Sequence, residues 1–320
     1  MHVPYEVPRL SVSGTALAEA DVDLIIVPIA QDQAPAAAAR YDGPLGDDLK
    51  AALERGEFSA KANEIYVARG ATGWKAARVV FVGGGPRAEI TVERLRRMAT
   101  SAAQVARHQR RPRVGWADVE PGALSLGARI ETVAESIVLA NFDNGVHKSR
   151  DGNQFFIREG VVFTPEDAAG AVKSGGAMGE SINAARVLIN EPANYLTPRV
   201  MADKAAALAS VPGLTAEILD EKKIAELKMG LLLGVARGSI EPPRLLVLKY
   251  SPQGAPAKHT LGLVGKGITF DTGGLSLKPA GGMERMKDDM AGGASVVAAM
   301  RSIALQQRPI RALAVVPMTE

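Results

Sequence analysis

Short apolar runs alternate with amphipathic segments along this chain, and this alternation limits its fold more than any other feature. In the first half, 22–29 (VDLIIVPI) and 78–82 (RVVFV) are apolar runs bounded by Asp, Pro or Gly, as buried strands often are. From Val92 onward, apolar residues recur at helical spacing, and Thr91 stands where an N-cap is expected. A second helical stretch covers 133–139. The pattern predicts an α/β domain with a largely parallel sheet.

A polar stretch without clear periodicity, 141–159, separates this first half from the rest of the chain. It contains Asn144-Gly145 and Asp151-Gly152, which are both turn signals. Because a change of this kind is typical of a domain boundary, we predict three regions. They are an N-terminal α/β domain at 1–150, a linker at 151–170 and a second domain at 171–320.

The second half repeats the alternation of helices and strands. Thr164-Pro165 and Thr197-Pro198 combine a capping residue with a proline at the first helical position. They predict a long helix from Thr164 to about Ile189 and a helix over 200–208. The remaining predicted elements are strands at 215–219, 245–250, 261–264 and 312–316, and helices at 222–228 and 291–305.

The charge balance argues against a nucleic-acid or membrane partner. The 320 residues include 38 basic and 35 acidic side chains, for a net charge of +3. The one basic cluster comprises Arg107, Arg110, Arg111 and Arg113, which we interpret as a solvated helix end and loop in preference to a DNA contact.

The chain has no cysteine, which excludes disulfides and thiolate metal sites and fits a reducing compartment. Residues 1–10 lack the pattern of a signal peptide, and no apolar stretch reaches the ~20 residues that span a bilayer. We therefore expect a cytoplasmic protein.

The stretch from Val264 to Gly293 carries most of the chemical information. An apolar strand ends at Val264, and a glycine-rich segment with two lysines and three aspartates follows. Ligands of open α/β sheets bind at the carboxyl ends of strands, so a site is expected here. If buried, these charges must neutralise one another or bind an ion. They are Lys266, Asp271, Lys278, Asp288 and Asp289.

Other kinds of site fit the sequence less well. The phosphate-binding pattern G-x-x-x-x-G-K-[ST] and the nucleophile elbow G-x-S-x-G are both absent. Carboxylates with a nitrogen donor suit Zn²⁺, Mn²⁺, Co²⁺ or Mg²⁺. Gly83-Gly84-Gly85 follows a strand, and a tight turn is preferred there to an anion cradle. The four histidines, His2, His108, His147 and His259, show no metal-ligand spacing.

The segment resembles the signature of the leucyl aminopeptidase (cytosol aminopeptidase) family. The matching motifs lie in order at 265–267 (GKG), 270–275 (FDTGGL), 278–279 (KP), 286–287 (MK) and 289–290 (DM). Residues 188–198 (LINEPANYLTP), 234–239 (GVARGS) and 243–245 (PRL) resemble further family segments. The resemblance implies a macro-domain-like N-terminal α/β domain and a zinc-exopeptidase-like α/β catalytic domain with a mixed central sheet.

The resemblance also implies roles for individual residues. Lys266 would bind one metal through its neutral amine, since an ammonium has no lone pair. Asp271 would bridge two metals, and Asp289 would complete the shell of the metal held by Lys266. Lys278 would donate to the scissile carbonyl and stabilise the oxyanion. Met286 would line the pocket for the first substrate side chain, although plain core packing explains it nearly as well.

The implied activity is removal of N-terminal, leucine-like residues from peptides, with two divalent ions activating water. The ions would be Mn²⁺ or Zn²⁺, with Co²⁺ or Mg²⁺ as further candidates. The family pattern continues beyond Glu320 with an Asn-Thr-Asp-Ala-Glu-Gly-Arg motif that supplies further ligands and an arginine for bicarbonate. We therefore expect a truncated chain with an incomplete site, and a homo-hexamer for the complete protein. The alternative is a non-catalytic fragment, or a DNA-binding or scaffold module of the same family.

Overall fold

The computed structural model describes residues 3–41, 43–68, 72–118, 123–148, 154–256 and 258–320. These residues form two compact units, divided between Glu180 and Ser181. The predicted turn at Asp151-Gly152, together with His2, lies outside the described residues.

The first unit is built around a sheet of six strands in the order β1-β6-β5-β2-β4-β3. All the strand pairs are parallel except β3 with β4, which confirms the predicted largely parallel sheet. The strands are β1 (Arg9–Ser13), β2 (Leu24–Ile29), β3 (Ile65–Val67), β4 (Arg78–Gly83), β5 (Arg113–Ala117) and β6 (Glu159–Phe163). The helices are α1 (Ala34–Ala38), α2 (Pro44–Glu54), α3 (Val92–His108) and α4 (Leu126–Ala140), and α5 (Ala169–Asn190) begins in this unit.

The two best-defined predictions of the first half are confirmed. Every residue of β2 is buried, as the continuous apolar run predicts for a strand covered on both faces. Helix α3 begins after Thr91, whose hydroxyl accepts a hydrogen bond from the Arg94 N–H at 3.3 Å. The apolar face of α3 packs into the core, because its small and apolar residues recur at helical spacing.

The range predicted as a linker contains a strand of this sheet. Strand β6 lies within 151–170 and pairs with both β1 and β5. Its apolar run Val161–Phe163 is buried, so these residues complete the sheet of the first unit. The division between the units falls later than expected, inside helix α5.

The helix predicted from Thr164 begins instead at Ala169. Thr164 continues the end of β6, where its N–H donates to the Ser13 carbonyl at 3.0 Å. Asp167 accepts from the Ala169 N–H at 3.2 Å. The helix therefore starts later than predicted, because Thr164 still extends the sheet and the Asp167 carboxylate caps the N–H of the first helical residue.

Other protein atoms occupy the space beside the Gly83-Gly84-Gly85 segment, as expected for the predicted tight turn. A Cβ on Gly83 would lie 2.1 Å from the Lys61 carbonyl oxygen. The facing loop is held by the Glu64 carboxylate, which accepts from the Ser59 N–H and hydroxyl and from the Lys61 N–H. Burial alone would raise the pKa of Glu64, but these hydrogen bonds and the Lys61 charge hold it below its ordinary value of 4.5.

Two arginines of the basic cluster form hydrogen bonds or ion pairs within the first unit. Arg107 donates to the carbonyl oxygens of Ala140, Phe142 and Phe155. Arg113 makes ion pairs with Asp21 and Asp23. These contacts give both side chains a structural role, whereas the sequence predicted solvated side chains, and the Arg107 side chain is only 17% exposed.

The second unit has a mixed sheet in the order β10-β11-β8-β7, with β9 also paired to β11. Strands β9 and β10 run parallel to β11, whereas β8 is antiparallel to both β11 and β7. The strands are β7 (Leu214–Leu219), β8 (Arg244–Tyr250), β9 (Thr260–Val264), β10 (Gly267–Ile268) and β11 (Arg311–Thr319). The helices are α6 (Pro198–Leu208), α7 (Glu221–Glu226), α8 (Gly230–Ala236), α9 (Ala280–Met283) and α10 (Ala291–Leu305). Helices α6 and α10 pack on the buried residues of β8 and β11, which confirms the predicted mixed α/β architecture.

Candidate metal centre and active site

Close-packed glycines bring the chain after β9 against the start of α10. A Cβ on Gly265 would lie 2.7 Å from the Gly293 Cα, and one on Gly293 would lie 2.8 Å from the Lys266 carbonyl oxygen. The Gly293 N–H donates to that carbonyl at 2.7 Å. A Cβ on Gly267 would lie 2.6 Å from the Pro317 carbonyl oxygen in β11. Only glycine fits at such distances, so the Lys266 backbone is held between β11 and α10.

Lys266 lies beside Asp289 in this arrangement. The Lys266 Nζ is 2.8 Å from Asp289 Oδ2, and Asp289 directly precedes the N-cap residue of α10. At this distance the two groups form an ion pair. Asp289 Oδ2 is itself buried, so this contact is shielded from solvent. Buried charged groups in proteins are paired or coordinate metals, and Asp289 is paired with Lys266 here.

A second lysine–aspartate pair closes the loop that follows β10. Lys278 Nζ is 2.8 Å from Asp271 Oδ2, and the Gly273 N–H donates to Asp271 Oδ1 at 2.8 Å. The Lys278 N–H donates to the Thr272 carbonyl at 2.9 Å. Gly273 has a φ of 93°, and a Cβ there would lie 2.3 Å from the Ser276 carbonyl oxygen. The loop is therefore a compact turn that requires glycine at position 273. It brings the Lys278 side chain into contact with Asp271.

The charges around Asp271 favour its ionised form. The hydrogen bond from Lys278 is the main cause that lowers the pKa of Asp271, and burial acts in the opposite direction. The Gly273 N–H and the charges of Lys278 and Lys266 lower the pKa further. Asp271 is therefore a carboxylate at neutral pH, which is the form that binds metals.

A large open cavity of about 1450 Å³ adjoins these residues. Lys266 and Asp271 both line it, together with the apolar side chains of Ile268, Phe270 and Leu275. Other polar residues of the wall are Asn194, Ser239, Glu284, Lys287 and Glu320. A mostly apolar cavity with a few convergent charged groups is typical of a small-molecule or peptide site.

Ser239, in one wall of the cavity, makes two hydrogen bonds to neighbouring segments. Its hydroxyl donates to Glu320 Oε1 at 2.7 Å and accepts from the Glu241 N–H at 3.0 Å. Glu241 in turn lies 3.6 Å from an Arg199 nitrogen. These contacts hold the end of β11 against the segment that follows α8.

The structure brings together four of the five residues singled out from the sequence. Lys266 and Asp271 line the cavity, and each forms an ion pair, Lys266 with Asp289 and Asp271 with Lys278. Met286 is half-buried and is not among the residues that border the cavity. Two further lining residues, Lys287 and Glu320, have no role in the sequence-based prediction. Lys287 belongs to the MK motif at 286–287.

These side chains fit part of a divalent-metal site. The donors are the Asp271 and Asp289 carboxylates and the Lys266 amine, an oxygen and nitrogen set that suits Mn²⁺ or Zn²⁺. Within the described ranges, no three or more His, Cys, Asp or Glu side chains group to hold a metal. The three donors therefore account for only part of a metal's coordination shell.

Comparison with known proteins shows the family. The model of the cytosol aminopeptidase family catalytic domain matches residues 183–320, and that of its N-terminal domain matches 26–151. The chain belongs to the cytosol aminopeptidase family. A relative from Acidobacterium capsulatum, described as "Probable cytosol aminopeptidase", is 37% identical over 98% of this chain and 65% of its own length. A relative of the same description from Solibacter usitatus is also 37% identical, over 98% and 63%.

Solved structures agree with this membership. The bottromycin maturation enzyme BotP in complex with Mn matches with a TM-score of 0.77 at 31% identity, covering 93% of this chain and 60% of that one. A tomato leucine aminopeptidase mutant matches with a TM-score of 0.82 at 24% identity, covering 98% and 63%, which shows a shared fold.

This member of the cytosol aminopeptidase family spans somewhat less than two thirds of the length of the curated relatives it matches first. Within the described residues, none of its helices combines the length and apolarity needed to cross a bilayer.

Proposed function

We propose that the protein carrying this chain is a metal-dependent aminopeptidase that releases N-terminal amino acids from peptides. The observation that carries the proposal is the pairing of Lys266 with Asp289, whose Oδ2 is buried and lies 2.8 Å from Lys266 Nζ. Lys266 and Asp271 line one cavity, so two of the three proposed donors face a space that a peptide end can enter. Membership in the cytosol aminopeptidase family supports the same activity.

In the proposed mechanism, the chain's own residues bind, orient and stabilise the substrate. Bound divalent ions would activate a water molecule and polarise the scissile carbonyl. Lys266, Asp271 and Asp289 would hold these ions, and Asp271 is kept ionised by its surroundings. Lys278 Nζ lies 2.8 Å from Asp271. In this proposal it would turn to the carbonyl oxygen of the bound substrate and donate to it as negative charge develops there.

We propose that the preferred substrates carry an apolar first residue such as leucine. The cavity wall includes Val235, Ile268, Phe270 and Leu275, which offer apolar contacts to such a side chain. The family resemblance assigns Met286 to the same pocket, although Met286 does not border the cavity.

We further propose two ions, Mn²⁺ or Zn²⁺, as cofactors, with bicarbonate assisting in the complete enzyme. The solved complex of BotP with Mn supports manganese, because BotP shares its fold with this chain at 31% identity. A cytoplasmic location and a homo-hexameric assembly are proposed from the family resemblance.

The test is titration of Mn²⁺ into the metal-free protein by calorimetry. The wild type should bind, and Asp271→Asn and Asp289→Asn should each weaken binding at least roughly tenfold, because each removes one donor. Asp288→Asn removes the same charge from the neighbouring position and serves as the matched control. In hydrolysis of leucine amide, Lys278→Met should lower kcat by roughly 10²–10³ with a smaller effect on KM.

Two results would contradict this function. The first is a wild-type protein that binds neither Mn²⁺ nor Zn²⁺. The second is an Asp271→Asn variant that binds metal and hydrolyses the amide as the wild type does.

A further inference from the structure

Lys287 connects the proposed metal loop to a distant turn of the second unit. It lies in the 3-10 segment Glu284–Asp288, directly before Asp289. Its Nζ donates to the carbonyl oxygen of Asn190 at 2.8 Å, across 97 residues of sequence. Asn190 is the last residue of helix α5. Lys287 also lines the cavity and is half-buried.

The physical basis of this contact is the end of α5. The last carbonyl groups of a helix have no intrahelical donors, and the helix end carries partial negative charge. A lysine ammonium supplies both a hydrogen-bond donor for the carbonyl and a positive charge for the negative helix end. Partial burial of the side chain limits competition from water. The contact is therefore a defined anchor point for the loop.

The 3-10 segment itself provides weak support for Asp289. Its hydrogen bonds have poorer geometry than those of an α-helix, and the Asp289 N–H reaches the Met286 carbonyl at 3.3 Å. Gly282, in the preceding α9, has a φ of 92°, so the backbone also changes direction just before the segment. A side-chain anchor at Lys287 would restrict motion that the backbone alone permits.

We propose that Lys287 is a positioning residue whose bond to the Asn190 carbonyl orients Asp289 toward Lys266. The proposal rests on the proposed function in one respect, since it treats Asp289 as a metal ligand. Lys287 does not itself bind the metal. It acts by holding the segment that carries the ligand.

The charge and the anchor of Lys287 predict opposite effects on metal affinity. A cation on the cavity wall repels a divalent ion, so neutralising it should strengthen binding if charge were its only influence. Loss of the anchor should weaken binding, and residues that orient metal ligands typically contribute 10–100-fold in affinity. The direction of the change therefore distinguishes the two roles.

The experiment compares three variants by Mn²⁺ calorimetry and by hydrogen exchange of the metal-free protein. Lys287→Met removes the charge and the donor but keeps the apolar stem. Lys287→Arg keeps a cationic donor. Lys204→Met is the matched control, because Lys204 Nζ lies 2.5 Å from Glu191 and so supports the same turn without touching the metal loop.

We expect Lys287→Met to weaken Mn²⁺ binding roughly 10–100-fold and Lys287→Arg to restore it to within a few-fold. Amides of 284–290 should exchange faster in Lys287→Met, and Lys204→Met should leave both readouts unchanged. Unchanged or tighter Mn²⁺ binding by Lys287→Met would overturn the proposal, as would an equal loss in Lys204→Met. If the wild type bound no Mn²⁺, the proposed function would fail, and hydrogen exchange would still decide whether Lys287 anchors the segment.

Discussion

Replacing Gly293 by alanine should destabilise the second unit, although alanine is the better helix former. In a helix, alanine is favoured over glycine by about 0.5–1 kcal/mol. The added Cβ would lie 2.7 Å from Val316 Cγ1, 2.8 Å from the Lys266 carbonyl oxygen and 3.3 Å from its carbon. Ordinary carbon contacts need about 3.5–4.0 Å, so α10 or the Lys266 turn must move by several tenths of an ångström. Overpacking of this kind costs about 1–3 kcal/mol, which exceeds the helical gain.

The neighbouring glycine provides the control. A Cβ on Gly292 would lie 3.4 Å from the Lys266 backbone nitrogen and 3.8 Å from the Lys266 Cβ and carbonyl oxygen. These distances are close to ordinary van der Waals contacts. Gly292→Ala should therefore be neutral or stabilising by up to about 1 kcal/mol. Thermal unfolding followed by circular dichroism, with Mn²⁺ titration, measures both variants. Gly293→Ala should unfold at a lower temperature and bind Mn²⁺ more weakly. Equal stability and equal metal affinity of the two variants would refute the reasoning.

Three further predictions concern stability. Glu64→Gln should destabilise the protein by about 1–2 kcal/mol at neutral pH, since hydrogen bonds to the carboxylate are lost. Because folding lowers the pKa of Glu64, its contribution is present above its ordinary value of 4.5 and lost as pH falls through the folded-state pKa, so denaturation curves of the variant and wild type should converge in acid. Thr91→Ala should cost about 1 kcal/mol by denaturant unfolding, whereas Thr197→Ala should cost little, because the Thr197 side chain makes no capping bond. Arg129→Met should cost about 3–5 kcal/mol, since it leaves the buried Asp118 without its 2.7 Å partner; a cost below 1 kcal/mol would contradict this.

Local sequence patterns predicted two kinds of element: strands that are buried along their whole length, and helices that are buried along one face. Strand β2 is buried throughout, and α3 is buried along one face, so their apolar residues recur with a recognisable period. Strand β6 escaped prediction because its apolar run, Val161–Phe163, is short and follows a polar stretch. Its pairing with β1 and β5 depends on residues about 150 and 45 positions away in the sequence, which no local period records.

The same limit applies to the candidate site. The motif between Lys266 and Asp289 could be read directly, since its charged residues and glycines are close in sequence. The contacts that complete the surroundings are remote: Lys287 meets Asn190 across 97 residues, and Ser239 meets Glu320 across 81. Lys287, Asn190 and Ser239 belong to motifs that are visible in the sequence, but nothing in the sequence indicates which residues they contact.

The glycines show why ligand identity and ligand orientation have different origins. Gly265 and Gly293 are needed because neighbouring backbone leaves no room for a Cβ, and Gly273 is needed for its positive φ as well. Gly281 has no atom within 4 Å of its Cβ position, although it lies in the same glycine-rich segment. A local motif therefore supplies the donor atoms, whereas contacts between β11, α10 and the end of α5 decide which glycines are required and where Asp289 points. Substitutions that break those contacts should weaken metal binding while leaving every proposed ligand in place.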